Sequence, residues 1–181
     1  TKTVAGYAET GDAVNNTLVF SGGTSAITMA AQSGGSATGN TITITGGNPG
    51  TVTGGAGVTG ASENTVIISG GTLDTDIYGG QTYDGAADNN TINILARDLN
   101  PEMSLYGGYR TTESKNNTYN MYTKGQTVAD FAYFQNLNFY VPEGTTAGET
   151  MLTVTGNAAV DADTTLAAVQ NSTTTDGTTD V

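Results

Sequence analysis

The chain is 181 residues long and contains 26 glycines, but no cysteine, histidine or tryptophan. Five basic residues face 17 acidic ones, a net charge of −12, which argues against nucleic acid and anionic membrane surfaces, both of which need clustered lysine and arginine. The missing cysteines exclude a disulfide framework and a thiolate metal site, the missing histidines exclude Ser–His and Cys–His nucleophilic catalysis, and no apolar run is long enough to span a bilayer.

Taken from the N-terminus, the chain repeats one phrase. Asn16-Thr17-Leu18-Val19-Phe20-Ser21-Gly22-Gly23 returns as Asn40-Thr41-Ile42-Thr43-Ile44-Thr45-Gly46-Gly47 and again as Asn64-Thr65-Val66-Ile67-Ile68-Ser69-Gly70-Gly71. Looser copies follow from Asn90 and Asn117. The steps are 24 (16 to 40), 24 (40 to 64), 26 (64 to 90) and 27 (90 to 117) residues, a period that signals a stacked repeat architecture. Each unit carries a second apolar step upstream, at Ile27, Val52, Ile77 and Leu105, and Val4 begins the same step in the first unit.

Alternation fixes the faces of these segments. Leu18, Ile42, Val66, Ile92 and Tyr119 form one predicted inward row, Phe20, Ile44, Ile68, Ile94 and Met121 a second, and Ile27, Val52, Ile77 and Leu105 a third. A single unit has too few apolar residues for a core, whereas stacked units share one. The asparagines Asn16, Asn40, Asn64, Asn90 and Asn117 fall at one corner and are expected to bond each other as a structural ladder, and the Gly-Gly pairs supply positive φ for the next corner. The reading is all-β: a parallel β-solenoid (β-helix) of about five to six coils of 24–28 residues with a C-terminal β-rich capping segment.

Residues 1–124 hold the solenoid repeats. The longer fourth and fifth coils place their extra residues in turns, near Thr82-Tyr83-Asp84 and from Arg97 to Glu102. Residues 125–169 change character, with Phe131, Phe134 and Phe139 beside Tyr133 and Tyr140, and read as a capping segment. Within it, Gln135-Asn136-Leu137 echoes the Asn-Thr corner at an interval of 19 (117 to 136). Residues 170–181 are polar and read as a flexible tail. The opening in mid-repeat at Thr1 reads as a segment of a longer protein.

Units such as Asp76-Ile77-Tyr78-Gly79-Gly80 with Asp88-Asn89-Asn90-Thr91-Ile92, and Leu105-Tyr106-Gly107-Gly108-Tyr109 with Asn116-Asn117-Thr118, resemble the repeated passenger regions of Gram-negative (type V) autotransporter adhesins. The stretch from Phe134 to Val141, followed by Gly148 to Val154, looks like the segment that follows such repeats. The resemblance implies an extracellular rod on the cell surface, part of a secreted parent anchored in the outer membrane, acting in cell adhesion on a host or neighbouring-cell surface protein or glycan. It implies no catalytic residue, cofactor or metal, and no direct membrane insertion by this segment.

Four tyrosines are candidate surface-binding residues. Tyr78 and Tyr106 hold equivalent outward positions in successive coils, with Tyr83 and Tyr109 in the turns after them, and a line of aromatics can stack on sugars or anchor a protein. The competing reading packs these rings against neighbouring turns. Asp74, Asp76, Asp84 and Asp88 cluster within 15 residues, but the Gly-Gly-x-Gly-x-Asp nonapeptide of calcium-binding β-rolls is absent, and they read as solvated turn aspartates in place of calcium ligands. An ice-ordering Thr array is broken at the outward row Val19, Thr43, Ile67, Asn93, Asn120. The remaining alternative is a glycan-binding or polysaccharide-cleaving β-helix, for which Arg97, Arg110 and pairs such as Asp74 and Asp76 are the available chemistry.

Overall fold

The structure is a computed structural model that describes residues 1–95, 99–109 and 114–170. The predicted flexible tail beyond residue 170, and Arg97 and Arg110, lie outside the described residues. The described chain is all-β, a parallel β-solenoid of about six turns.

Two sheets run its full length, each of seven parallel strands. The first contains Lys2–Ala8, Ile27–Ser33, Thr51–Gly57, Ile77–Thr82, Leu105–Tyr109, Phe131–Ala132 and Ala158–Ala159. The second contains Thr17–Phe20, Thr41–Ile44, Thr65–Ile68, Thr91–Ile94, Thr118–Met121, Asn136–Val141 and Thr165–Gln170. At about 4.8 Å per step, the six steps span roughly 29 Å. A short third strand accompanies the early coils at Ala13–Val14, Ser36–Thr38 and Gly60–Ser62, between the first sheet and the second. In the late coils the extra strand moves to the return connection, at Gln126–Val128 and Leu152–Val154. Residues 125–169 thus continue both long sheets in register.

The second sheet carries the predicted inward rows. Leu18 pairs with Ile42, then Val66, Ile92 and Tyr119, and Phe20 with Ile44, Ile68, Ile94 and Met121. Their side chains form one continuous core, completed by Phe131, Phe134 and Leu137. Three single-residue corrections apply elsewhere. The first-sheet column runs Thr28, Val52, Ile77, Leu105, so the second coil supplies Thr28 in place of Ile27. Thr28 tolerates full burial because its hydroxyl donates to the Pro49 carbonyl at 2.7 Å. In the first coil the column member is Thr3, and Val4 pairs with Met29 on the opposite face. At the C-terminal end the corner echo is Gln135, since Asn136 pairs with Thr118.

The asparagine column is an inside ladder. The amide of Asn16 donates to Asn40 Oδ1 at 2.9 Å, Asn40 to Asn64 at 2.9 Å, Asn64 to Asn90 at 3.0 Å and Asn90 to Asn117 at 3.2 Å. Each receiving oxygen also accepts the backbone N–H of the preceding asparagine, and the amides of Asn40, Asn64, Asn90 and Asn117 donate again to the carbonyls of Ala13, Ala37, Ala61 and Ala87. Those four asparagines are fully buried, which such complete pairing allows. The residue before each is left-handed: Asn15, Gly39, Glu63, Asn89 and Asn116 have φ between 56° and 69°. The next corner uses the second glycine of each pair, Gly23, Gly47 and Gly71, with φ of 82°, 76° and 95°.

Candidate binding groove

A second set of small residues shapes the outside. Along the first sheet the pairing register skips one residue per strand, at Ala5, Ala30, Gly54, Gly79 and Gly107. There the strand bends toward the axis, and two consecutive residues face the asparagine ladder. A Cβ on Gly55 would lie 2.6 Å from Asn64 Oδ1, and one on Gly79 would lie 2.9 Å from the Asn90 Cβ. Glycine here permits close approach, with no demand for positive φ. The bend pinches the cross-section, leaving a small alanine core of Ala13, Ala31 and Ala37 apart from the main one.

The bend also shows on the outer face. Two outer columns flank it: Val4, Met29, Thr53, Tyr78, Tyr106 on one side and Tyr7, Gln32, Ala56, Gln81, Tyr109 on the other. They touch across the bend. Thr53 Oγ1 donates to Gln81 Oε1 at 3.1 Å, and the Tyr78 and Tyr109 rings meet edge-on at 5.1 Å. Thr53 is fully buried although it points away from the core. On the other side of the second column, between it and the turn residues Val58 and Tyr83, a groove of about 300 Å³ is lined by Gln32, Ala56, Val58, Gln81, Tyr83 and Tyr109 among others. A second hollow of about 160 Å³ adjoins it toward the N-terminal coil, sharing Gln32 and Val58 and adding Tyr7 and Glu9.

The four candidate tyrosines fall into two groups. Tyr78 and Tyr106 stack at 5.1 Å with their planes 13° apart, and Tyr106 also meets Tyr109 at 5.8 Å and Tyr133 at 6.2 Å. Tyr78 is buried, 9% exposed, and its hydroxyl donates to Asp76 Oδ2 at 3.1 Å. Burial, reinforced by the Asp76 carboxylate, pushes the Tyr78 phenol well above its ordinary pKa, and burial likewise raises Tyr106. Both phenols therefore stay neutral at physiological pH. Tyr83 stands in the turn after the fourth first-sheet strand, 71% exposed. Tyr109 closes the strand Leu105–Tyr109 instead of lying in a turn, because its register partner Gln81 keeps it in the sheet. The structure thus brings Tyr83 and Tyr109 into the groove lining and places Tyr78 and Tyr106 in the aromatic packing beside it.

Tyr7, Gln32, Ala56, Val58 and Gln81 were not marked by sequence reasoning. The available signal was positional: Tyr7, Gln32, Ala56, Gln81 and Tyr109 each lie eight or nine residues before a ladder asparagine. Three of the four aspartates accept hydrogen bonds from a neighbouring coil. Asp76 Oδ1 accepts from Ser104 N–H, Asp88 Oδ1 from Lys115 N–H, and Asp74 Oδ2 from the Asn48 amide. Among the described residues no three acidic side chains converge as metal ligands would.

Comparison with known proteins returns no match: no family model, no curated protein and no solved structure is significantly similar to the chain.

Proposed function

We propose that the chain is a non-enzymatic cell-surface structural and adhesion module, the stalk or side-binding part of an autotransporter-like adhesin passenger. The observation that carries this reading is one of shape: every described coil is bonded to the next along two uninterrupted sheets, while open hollows adjoin one another along the side. A rod so built holds its length and repeats its surface, so weak contacts gain avidity from their number. Residue chemistry supports binding over turnover. Glu9 is the one carboxylate among the described groove residues, whereas glycoside hydrolysis calls for a pair. An extracellular location, in a parent anchored in the outer membrane, belongs to the same proposal and rests on the resemblance of the repeats.

The test is to incubate the protein on glycan and extracellular-matrix protein arrays and analyse the supernatant. Retention without released product is expected. Released oligosaccharide would replace this reading with the polysaccharide-cleaving one, and failure to be retained on either array would remove side-binding.

A further inference from the structure

The groove has a chemistry more specific than general adhesion, and assigning it a ligand rests on the reading of the rod as a binding surface. Its floor column reads Tyr7, Gln32, Ala56, Gln81, Tyr109, nearly symmetric about the small central alanine. Four steps at about 4.8 Å separate the end tyrosines by roughly 19 Å along the axis. Both glutamines are held by their carbonyl ends. Gln32 Oε1 accepts from the Lys2 ammonium, and Gln81 Oε1 accepts from Thr53 Oγ1 at 3.1 Å. Lysine has no acceptor, which fixes the Gln32 amide orientation, and in both residues the NH₂ end makes no hydrogen bond to the described residues. Two oriented donors therefore lie between aromatic rings, with the 69% exposed Tyr7 at one end and the 71% exposed Tyr83 on the wall near the other.

We propose that this groove binds an extended, uncharged polysaccharide chain lying parallel to the solenoid axis. Ring faces of the sugars would stack on Tyr7, Tyr83 and Tyr109, and their hydroxyls would accept hydrogen bonds from Gln32 Nε2 and Gln81 Nε2. Alternating apolar faces and hydroxyl edges are what a polymer of pyranose rings presents, and the spacing of donors and rings along one line suits a chain more than a single sugar. Charge selects against acidic glycans. Of the described lysines, none is among the groove's lining residues, Lys124 pairs with Glu149, and Lys2 reaches the groove through Gln32, while Glu9 adds a negative charge to the lining. The chain as a whole carries −12.

The experiment is calorimetric titration of the protein with cellohexaose, chitohexaose and heparin fragments of similar length. A neutral hexaose is expected to bind with little dependence on salt, and heparin is expected not to bind. Tyr83→Ala, at an exposed position that folding does not need, should weaken binding about tenfold. Ala56→Phe, which fills the groove from its floor, should abolish it, and Tyr122→Ala on the other sheet should leave it unchanged. Circular dichroism of each variant confirms that the fold is retained. A protein that is retained on the arrays but binds no neutral hexaose, prefers heparin, or binds equally well as Tyr83→Ala and Ala56→Phe overturns the groove proposal and leaves adhesion standing. Absence of retention on the arrays and of binding in the titration removes both.

Discussion

The coils between Asn16 and Asn117 and those beyond residue 125 share two sheets, yet they are held together differently. In the first region a polar spine runs inside an aliphatic core, and every buried asparagine has its amide filled on both sides. In the second, the spine ends on Gln135, which accepts one bond from Asn117 N–H at 3.0 Å. Aromatic packing takes over there. Tyr119 meets Phe131 edge-on at 5.0 Å and Phe134 at 5.5 Å, and Phe131 stacks on Phe134 at 4.6 Å. Further out the packing thins, leaving Val160 and Leu166 54% and 71% exposed. Across coils of 24 to 27 residues one small amide still meets its copy in every turn. Where the coil shortens, as between Asn117 and Gln135, a fixed-length side chain loses that match and larger, less directional groups fill the space.

The sharpest way to break this contrast is to remove one amide from each region. Asn64→Ala should lower stability by about 3 kcal/mol or more, because it leaves the Asn40 backbone N–H and the Ala37 carbonyl without their side-chain partner and takes one of two bonds each from the Asn40 amide and Asn90 Oδ1 in the interior. Gln135→Ala should cost about 1 kcal/mol, since a single hydrogen bond is lost. Urea unfolding of the two variants measures the difference, and equal losses would show that the ladder is no stronger than its end. A smaller effect of opposite sign is expected at the seam between the regions. The Tyr119 hydroxyl is buried and finds no hydrogen-bond partner among the described residues, so Tyr119→Phe should raise stability by about 1 kcal/mol in the same assay.

Smaller again is a correction within the regular coils. Glu63 sits at φ 58° where the equivalent residues are Asn15, Gly39, Asn89 and Asn116. Glu63→Asn should stabilise the third coil by about 0.5–1 kcal/mol, seen as a rise in the thermal midpoint. The smallest effect is local to the C-terminal coils. The Lys124 ammonium, 2.7 Å from the carboxylate, and the Thr146 N–H hold the Glu149 pKa down at about 2 from an ordinary 4.5. A depressed carboxylate stabilises the fold above its unfolded pKa and loses that contribution as pH falls through its folded value. Hydrogen exchange in residues 124–154 should therefore quicken between pH 4.5 and 2 in the wild type. Most of that change should vanish in Glu149→Gln. An equal response in both proteins would assign it to other groups.

Much of this architecture was legible because the second sheet obeys a simple alternation. Ile42, Ile44, Val66 and Ile68 each announce an inward face, and the Asn-Thr phrase sets their register. The first sheet was harder to read. Its buried Thr28 looks polar beside Ile27, and only the hydrogen bond to the Pro49 carbonyl makes it an interior residue. Gln135 escaped for a related reason: an extra methylene lets it reach Asn117 from a shortened coil, whereas sequence identity pointed to Asn136. Of the groove, only Tyr83 and Tyr109 were legible. Its lining residues come from five coils more than 100 residues apart at the extremes, with Val58 and Tyr83 supplied from turns. Tyr78 shows the same limit, since its exposure was decided by Tyr106 and Tyr109 in the next coil.

The stacking of successive repeats in one register is the claim on which the ladder and the groove both depend. It is tested most directly by paired spin labels, with cysteines introduced at Thr17 together with Thr65, and at Thr17 together with Thr118, in a chain that has no cysteine of its own. Threonines 17, 41, 65, 91 and 118 are register partners in consecutive coils, so backbone separations of roughly 10 and 19 Å, doubling with coil number, are expected. Distances that do not grow in that proportion would contradict the stack.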